Sequence, residues 1–345
     1  MKTILYTYFG QLGTNFKEDI PGHMFYQVPL IESLKYVITF DKVDFYSYLD
    51  YNTQEGYFEF PDTKVGELLK NTMDDLLDKY CPTYNEILSN IANEKYEYLV
   101  LKARFRNLST LSKKMTDAYQ FESIILHALE CGYSPEKIIV LDTDLSMPKN
   151  FTSWLKKEGI RILIPSIDFA PMSKNFAKEL LTINANRRVL NDAIYYGNLS
   201  FGNYKKGHSK NNIVNDCIHW LHNVSHFEEN YCLTIAGKVD NHFKNIHIIP
   251  RTEREKIWFH FESARLCLNV SKDLYCERKF VPARVYESLL FGVIPVSYNM
   301  PYIYPAMSFD NIEQFEEIAK FILELSQDDY YSIYSKVLQE FILDK

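Results

Sequence analysis

Hydrophobic positions along this chain gather in short unbroken runs, and longer stretches with helical spacing separate them. Residues 3–8 predict a buried strand, with Gly10-Gln11-Leu12-Gly13 as the turn after it. Helical spacing over 23–34, a strand over 43–48 and a helix over 64–80 continue the alternation. Strands over 98–101 and 137–141, with a helix over 117–131 between them, lead to a strand over 161–165. Strands separated by helices in this way predict a parallel sheet covered on both faces.

The pattern then restarts. A polar stretch over 184–191 is followed by a strand over 193–197 and a helix over 211–223. Strands over 231–237, 247–250 and 265–270, a helix over 282–292 and a strand over 293–296 come next. Helices over 312–325 and 328–343 close the chain. The expectation is an α/β protein of two Rossmann-like domains, 1–168 and 169–345, facing a central cleft. The C-terminal helix is free to pack back on the first domain.

Length agrees with that division, because 345 residues exceed what one hydrophobic core usually supports. The 46% hydrophobic and 24% charged residues are an ordinary globular mixture. No apolar run approaches the ~18 residues of a membrane span, and the first residues lack the apolar stretch of a secretory signal. The expected setting is the cytoplasm, and the expected state a monomer. Cys81, Cys131, Cys217, Cys232, Cys267 and Cys276 form no CxxC pair, as befits buried thiols in a reducing compartment. His219, His222 and His226 share a helix face, but no HExxH motif or cysteine partner completes a metal site. The net charge of −7 opposes long-range attraction to nucleic acid and leaves room only for a local basic patch.

Ligands of parallel α/β sheets gather at the carboxyl ends of strands. Three such ends carry suggestive residues. After the strand over 193–197, Gly197, Asn198 and Ser200 precede Lys205 and Lys206. Glycine lets an anion approach the backbone and the lysines can neutralise phosphate, although a plain loop explains the same glycines. The second end is the helix over 282–292, where Arg284 and Glu287 fall on one face. A carboxylate there can accept both ribose hydroxyls, while an arginine meets a diphosphate with its fork. The third is Asp142-Thr143-Asp144 after the strand over 137–141.

Arg284-x-x-Glu287 followed by Gly292-Val293-Ile294-Pro295 resembles the donor signature of two-domain (GT-B) nucleotide-sugar glycosyltransferases. More narrowly, the chain resembles the bacteriophage DNA β-glucosyltransferase family. The patches run in order through Gly13-Thr14-Asn15-Phe16-Lys17, Thr143-Asp144-Leu145-Ser146-Met147-Pro148, Tyr196-Gly197-Asn198-Leu199-Ser200 and the Arg284/Glu287 helix. The resemblance implies inverting transfer of a sugar, with glucose foremost, from a UDP-sugar to a 5-hydroxymethylated DNA base in a phage-infected cell. It implies Asp144 as general base, and Gly197, Asn198, Ser200, Lys205, Lys206, Ile249, Arg284 and Glu287 around the donor. Gly13 and His23 fall near the sugar and acceptor, although the family has a glutamate where His23 or Met24 stands. Its phosphate loop also uses arginines in place of Lys205 and Lys206, and lysines bind as point charges.

For DNA, Lys102, Arg104, Arg106, Lys113 and Lys114 supply five cations without an acid, just past a strand end. A duplex base would have to flip out to reach such a cleft. Two rival readings keep other chemistry open. Asp142 and Asp144 could instead form a DxD motif holding Mg or Mn on the diphosphate, or the acceptor could be a bacterial glycan or lipid-linked sugar.

Overall fold

A computed structural model describes residues 1–8, 27–47, 60–80, 82–103, 116–143, 145, 147–189, 192–197, 209–227, 232–237, 246–249, 254–271 and 273–339. The chain divides into two compact units, the first formed mainly by residues up to Met172 and the second by those from Ser173.

In the first unit, β1 (Thr3–Tyr8), β2 (Lys42–Ser47), β3 (Leu77–Tyr80), β4 (Tyr96–Ala103), β5 (Ile138–Asp142) and β6 (Arg161–Leu163) form one parallel sheet. Its order is β3-β2-β1-β4-β5-β6. The helices are α1 (Gln27–Ser33), α2 (Lys64–Leu76), α3 (Tyr84–Ala92), α4 (Thr116–Glu130) and α5 (Lys149–Lys157). All five residues of β5 are buried, as a central parallel strand requires. One face of the sheet, through Leu5, Leu99, Leu101 and Val140, packs on Ile87, Ile91, Phe121 and Ile124 of α3 and α4. Asp44 is the main polar intrusion. Its Oδ2 accepts from Lys95 Nζ and from the Tyr96 hydroxyl, both at 2.9 Å.

The second unit repeats the scheme. It contains α6 (Lys174–Asn184), β7 (Asp192–Tyr196), α7 (Ser209–Phe227), β8 (Cys232–Ala236), β9 (His247–Ile249), α8 (Arg254–Ser263) and β10 (Ala264–Asn269). There follow α9 (Asp273–Arg278), α10 (Ala283–Leu290), β11 (Ile294–Tyr298), β12 (Ser308–Phe309), α11 (Ile312–Glu324) and α12 (Gln327–Leu338). The sheet order, read from its other edge as β9-β8-β7-β10-β11-β12, is that of the first unit in space: third, second, first, fourth, fifth, sixth. Each unit is therefore a doubly wound Rossmann-type sheet.

Side-chain-to-carbonyl bonds hold the second unit together. The Arg187 guanidinium donates to the carbonyls of Phe261, Glu262, Ala264 and Gly292 at 2.6–2.8 Å. Arg265 donates to the carbonyls of Ile322, Leu323 and Leu325, so a β10 cation satisfies the open end of α11. Gly292 sits at φ 71°, and a Cβ there would meet Asn184 Oδ1 at 2.7 Å, so no other residue fits this turn without movement. Through residue 339, α12 packs in this unit, with the Tyr334 hydroxyl donating to Leu289 and accepting from Asn184.

Some elements differ from the sequence expectation. Residues 77–80 leave the helix over 64–80 and pair with β2 as an edge strand. The stretch between the strand expected over 161–165 and the polar residues 184–191 contains α6, whose N-cap Ser173 accepts from the Phe176 amide. The cap and the buried positions Phe176, Ala177 and Leu180 at helical spacing together mark that helix.

Candidate functional site

In each unit the strand order reverses beside its first strand, between β1 and β4 or between β7 and β10. The carboxyl ends of those strands are where a doubly wound sheet accommodates a ligand. In the second unit α10 begins at this edge, with Pro282 as its N-cap at ψ 150°. Proline suits this start because it has no amide hydrogen to leave unpaired. Apolar residues Val285, Leu289 and Leu290 hold the helix against the sheet. Glu287 is 2% exposed on the same helix, and Arg284 is half-buried one turn earlier.

The Ser288 hydroxyl donates to the Arg284 carbonyl at 2.7 Å. Beneath them, Cys267 of β10 is wholly buried, and burial pushes its thiol up to about 11. The Ser288 hydrogen bond and the Arg284 guanidinium pull that value down, whereas the Glu287 carboxylate raises it. Arg284 Nη1 is buried and has no hydrogen bond among the described residues. A buried guanidinium N–H in that state is suited to an anionic acceptor.

Gly197 directly follows β7, and its amide donates to the Ala236 carbonyl at 3.1 Å. The Tyr195 ring folds over it, so an added Cβ would come within 2.6 Å of the phenol oxygen. Ile249 ends β9 with its side chain in the core, and its carbonyl accepts from the Gly237 amide at 3.0 Å. In the first unit Asp142 ends β5 and is buried. Leu145, directly after Asp144, has φ 54°, a left-handed conformation that non-glycine residues seldom adopt outside constrained sites. Asp144, Gly13, His23, Asn198, Ser200, Lys205, Lys206, Arg104, Arg106, Lys113 and Lys114 lie outside the described residues.

Among the described residues, no group of three or more His, Cys, Asp or Glu side chains could hold a metal ion. Asp144, half of the DxD pair, lies outside those residues. Likewise, no helix of the described residues is long and apolar enough to cross a membrane.

No protein-family profile and no curated protein matches the sequence. Solved structures do align along the chain. The S. aureus MnaA–UDP co-structure gives a TM-score of 0.41 at 10% identity, covering 99% of this chain and 92% of that one. An alpha,alpha-trehalose-phosphate synthase (UDP-forming) from Burkholderia vietnamiensis gives 0.40 at 9% identity, covering 99% and 94%. The spinosyn rhamnosyltransferase SpnG with thymidine diphosphate gives 0.40 at 11%, covering 99% and 96%. Likeness at this level decides nothing about chemistry. The two Rossmann-type sheets themselves put the chain in the GT-B fold class.

The DNA acceptor and the phage setting expected from the sequence do not stand. The reasons are physical, and the phage setting was implied only through the DNA acceptor. Lys102, first of the five cations assigned to DNA phosphates, is 6% exposed at the end of β4. A chain of net charge −7 also repels a polyanion at long range.

Sequence reasoning missed Arg187, Asn269 and Tyr302. The available signal for Asn269 was an amide directly after the apolar run 266–268 in Ala264–Asn269, all six of whose residues are buried.

Proposed function

We propose that the chain is a glycosyltransferase that moves a hexose from a UDP- or TDP-sugar to a glycan or lipid-linked acceptor. The observation that carries this reading is the α10 arrangement at the strand-order reversal of the second sheet, with Glu287 buried and a buried Arg284 N–H lacking a partner among the described residues. In this reading residues 169–345 bind the donor. Glu287 accepts the ribose hydroxyls, Arg284 meets the diphosphate, and Gly197 starts a loop in which Asn198, Ser200, Lys205 and Lys206 complete the phosphate contacts. Residues 1–168 bind the acceptor.

Asp144 is the general base of an inverting transfer. The acceptor hydroxyl attacks the anomeric carbon, its proton passes to the carboxylate, and the nucleoside diphosphate leaves from the opposite face. The left-handed Leu145 beside Asp144 supports a constrained role for this turn. The acidic chain favours an acceptor that is not a polyanion.

Calorimetry with UDP and TDP tests the donor half. Glu287→Ala should weaken nucleotide binding by about 1.5–3 kcal/mol, the worth of hydrogen bonds to a charged group. Unchanged affinity would remove α10 from the donor site. Nucleotide release measured with glycan and lipid-linked acceptors tests the other half. Asp144→Asn should lower transfer by roughly 10²–10⁴-fold while donor binding persists. Near-normal turnover would end the role of Asp144 as base.

A further inference from the structure

In the connection that delivers α10 to the sheet edge, helix α9 contributes no buried residue, and packing enters only with Phe280 and Val281. Two side chains from neighbouring strand exits hold it. Asn269, fully buried at the end of β10, donates to Ser297 Oγ at 3.1 Å and to Met300 Sδ at 3.4 Å. Its Oδ1 accepts from the Ser271 hydroxyl at 3.0 Å, at the first step of the connection. Tyr302, in the turn after β11, shares its hydroxyl proton between the carbonyls of Tyr275 and Phe280, at 3.1 and 3.0 Å.

Those two carbonyls bracket the end of α9. Between them Lys279 is held at φ 54°, its amide donating to the Cys276 carbonyl and the next amide, of Phe280, to that of Tyr275. Phe280 and Val281 are then buried, and Pro282 caps α10. A short, well-anchored path therefore runs from the Tyr302 hydroxyl through Phe280 to Arg284. Burial keeps Tyr302 protonated far above neutral pH, so it remains a donor under all working conditions.

We infer that Asn269 and Tyr302 are positioning residues that set α10, and with it Arg284 and Glu287, for the nucleoside diphosphate. This rests on the donor reading given above. Neither residue need touch the ligand. Each fixes one end of the connection, so that α10 is pre-set before binding and little ordering cost remains.

The test compares wild type, Tyr302→Phe, Asn269→Asp and Glu287→Ala at a temperature where circular dichroism shows each to be folded. Tyr302→Phe removes only an oxygen. It should raise the UDP dissociation constant and the donor KM about tenfold, with kcat changed less than about twofold. Hydrogen exchange of residues 275–284 should quicken in the ligand-free variant. Asn269→Asp cannot donate to Ser297 or Met300, and should shift KM in the same direction. A lower melting temperature with UDP affinity unchanged, in both Tyr302→Phe and Asn269→Asp, would make the two residues merely structural and overturn the inference. If Glu287→Ala loses UDP while Tyr302→Phe binds it as wild type does, the inference falls and the donor reading survives. If wild type binds neither UDP nor TDP, both fall together.

Discussion

The two units share one strand order but are fastened differently. In the first, aliphatic and aromatic side chains of β1, β4 and β5 meet α3 and α4, and the buried charge of Asp44 is met by one lysine and one phenol. In the second, the guanidinium groups of Arg187 and Arg265 reach seven backbone carbonyls across strands and helices. Apolar packing tolerates small adjustments, because it has no direction. A guanidinium fork does not, because each N–H must find its acceptor. The difference suits a second unit that, in the function proposed above, keeps its donor-binding helix in a fixed pose.

Arg187→Met is the sharpest way to break this contrast. It strands four carbonyls, and the second unit should lose about 3–4 kcal/mol, more than any single bond is worth. Hydrogen exchange resolved by unit checks it: protection should fall in residues 173–339 and hold in the first unit. Asp44→Asn is the matching change in the first unit. Lys95 is partly exposed, and the Tyr96 hydroxyl can still donate to the amide oxygen, so the loss should be only about 1 kcal/mol. A loss as large as that of Arg187→Met would show the two units to be fastened alike.

The smallest effect is a pH dependence confined to the second unit. Burial, reinforced by the neighbouring His247, holds the imidazole of His260 below its ordinary value near 6.5. The unfolded chain therefore binds this proton more readily than the folded one. Stability from the neutral ring is complete above about 6.5 and is lost as pH falls from there through the depressed folded value. His260→Gln should flatten that part of the urea-midpoint profile. A wild-type profile that stays flat between pH 7.5 and 5, roughly the span of this titration, would refute the assignment.

Much of the fold was legible because its strands are buried on both faces and so carry apolar runs, such as residues 138–141 of β5 and 266–268 of β10. Helix α3 was written in Thr83 and Glu86, whose reciprocal bonds make a capping box, and apolar spacing alone passes over such a signal. Residues 77–80 could not be read as a strand, since pairing with β2 supplies what the polar Asp78 and Lys79 do not. In the candidate site, Arg284 and Glu287 were legible as an i, i+3 pair on one helix. Arg187 was not. Its partner Gly292 is 105 residues away, and only the folded chain brings that carbonyl within 2.6 Å.

That separation also orders events during synthesis. All six strands of the first sheet have been made by residue 163, so the unit can close while the rest of the chain is still emerging. The second sheet has the same strand order, but its fastening comes later. Arg187 has no acceptor until the 261–292 stretch exists, and Asn184 waits for Tyr334. At ribosomal speed the interval between residues 184 and 334 is on the order of ten seconds. For that time Asn184 of α6 lacks its Tyr334 partner and the helix lacks the cover of α12, the state in which a chaperone would find it.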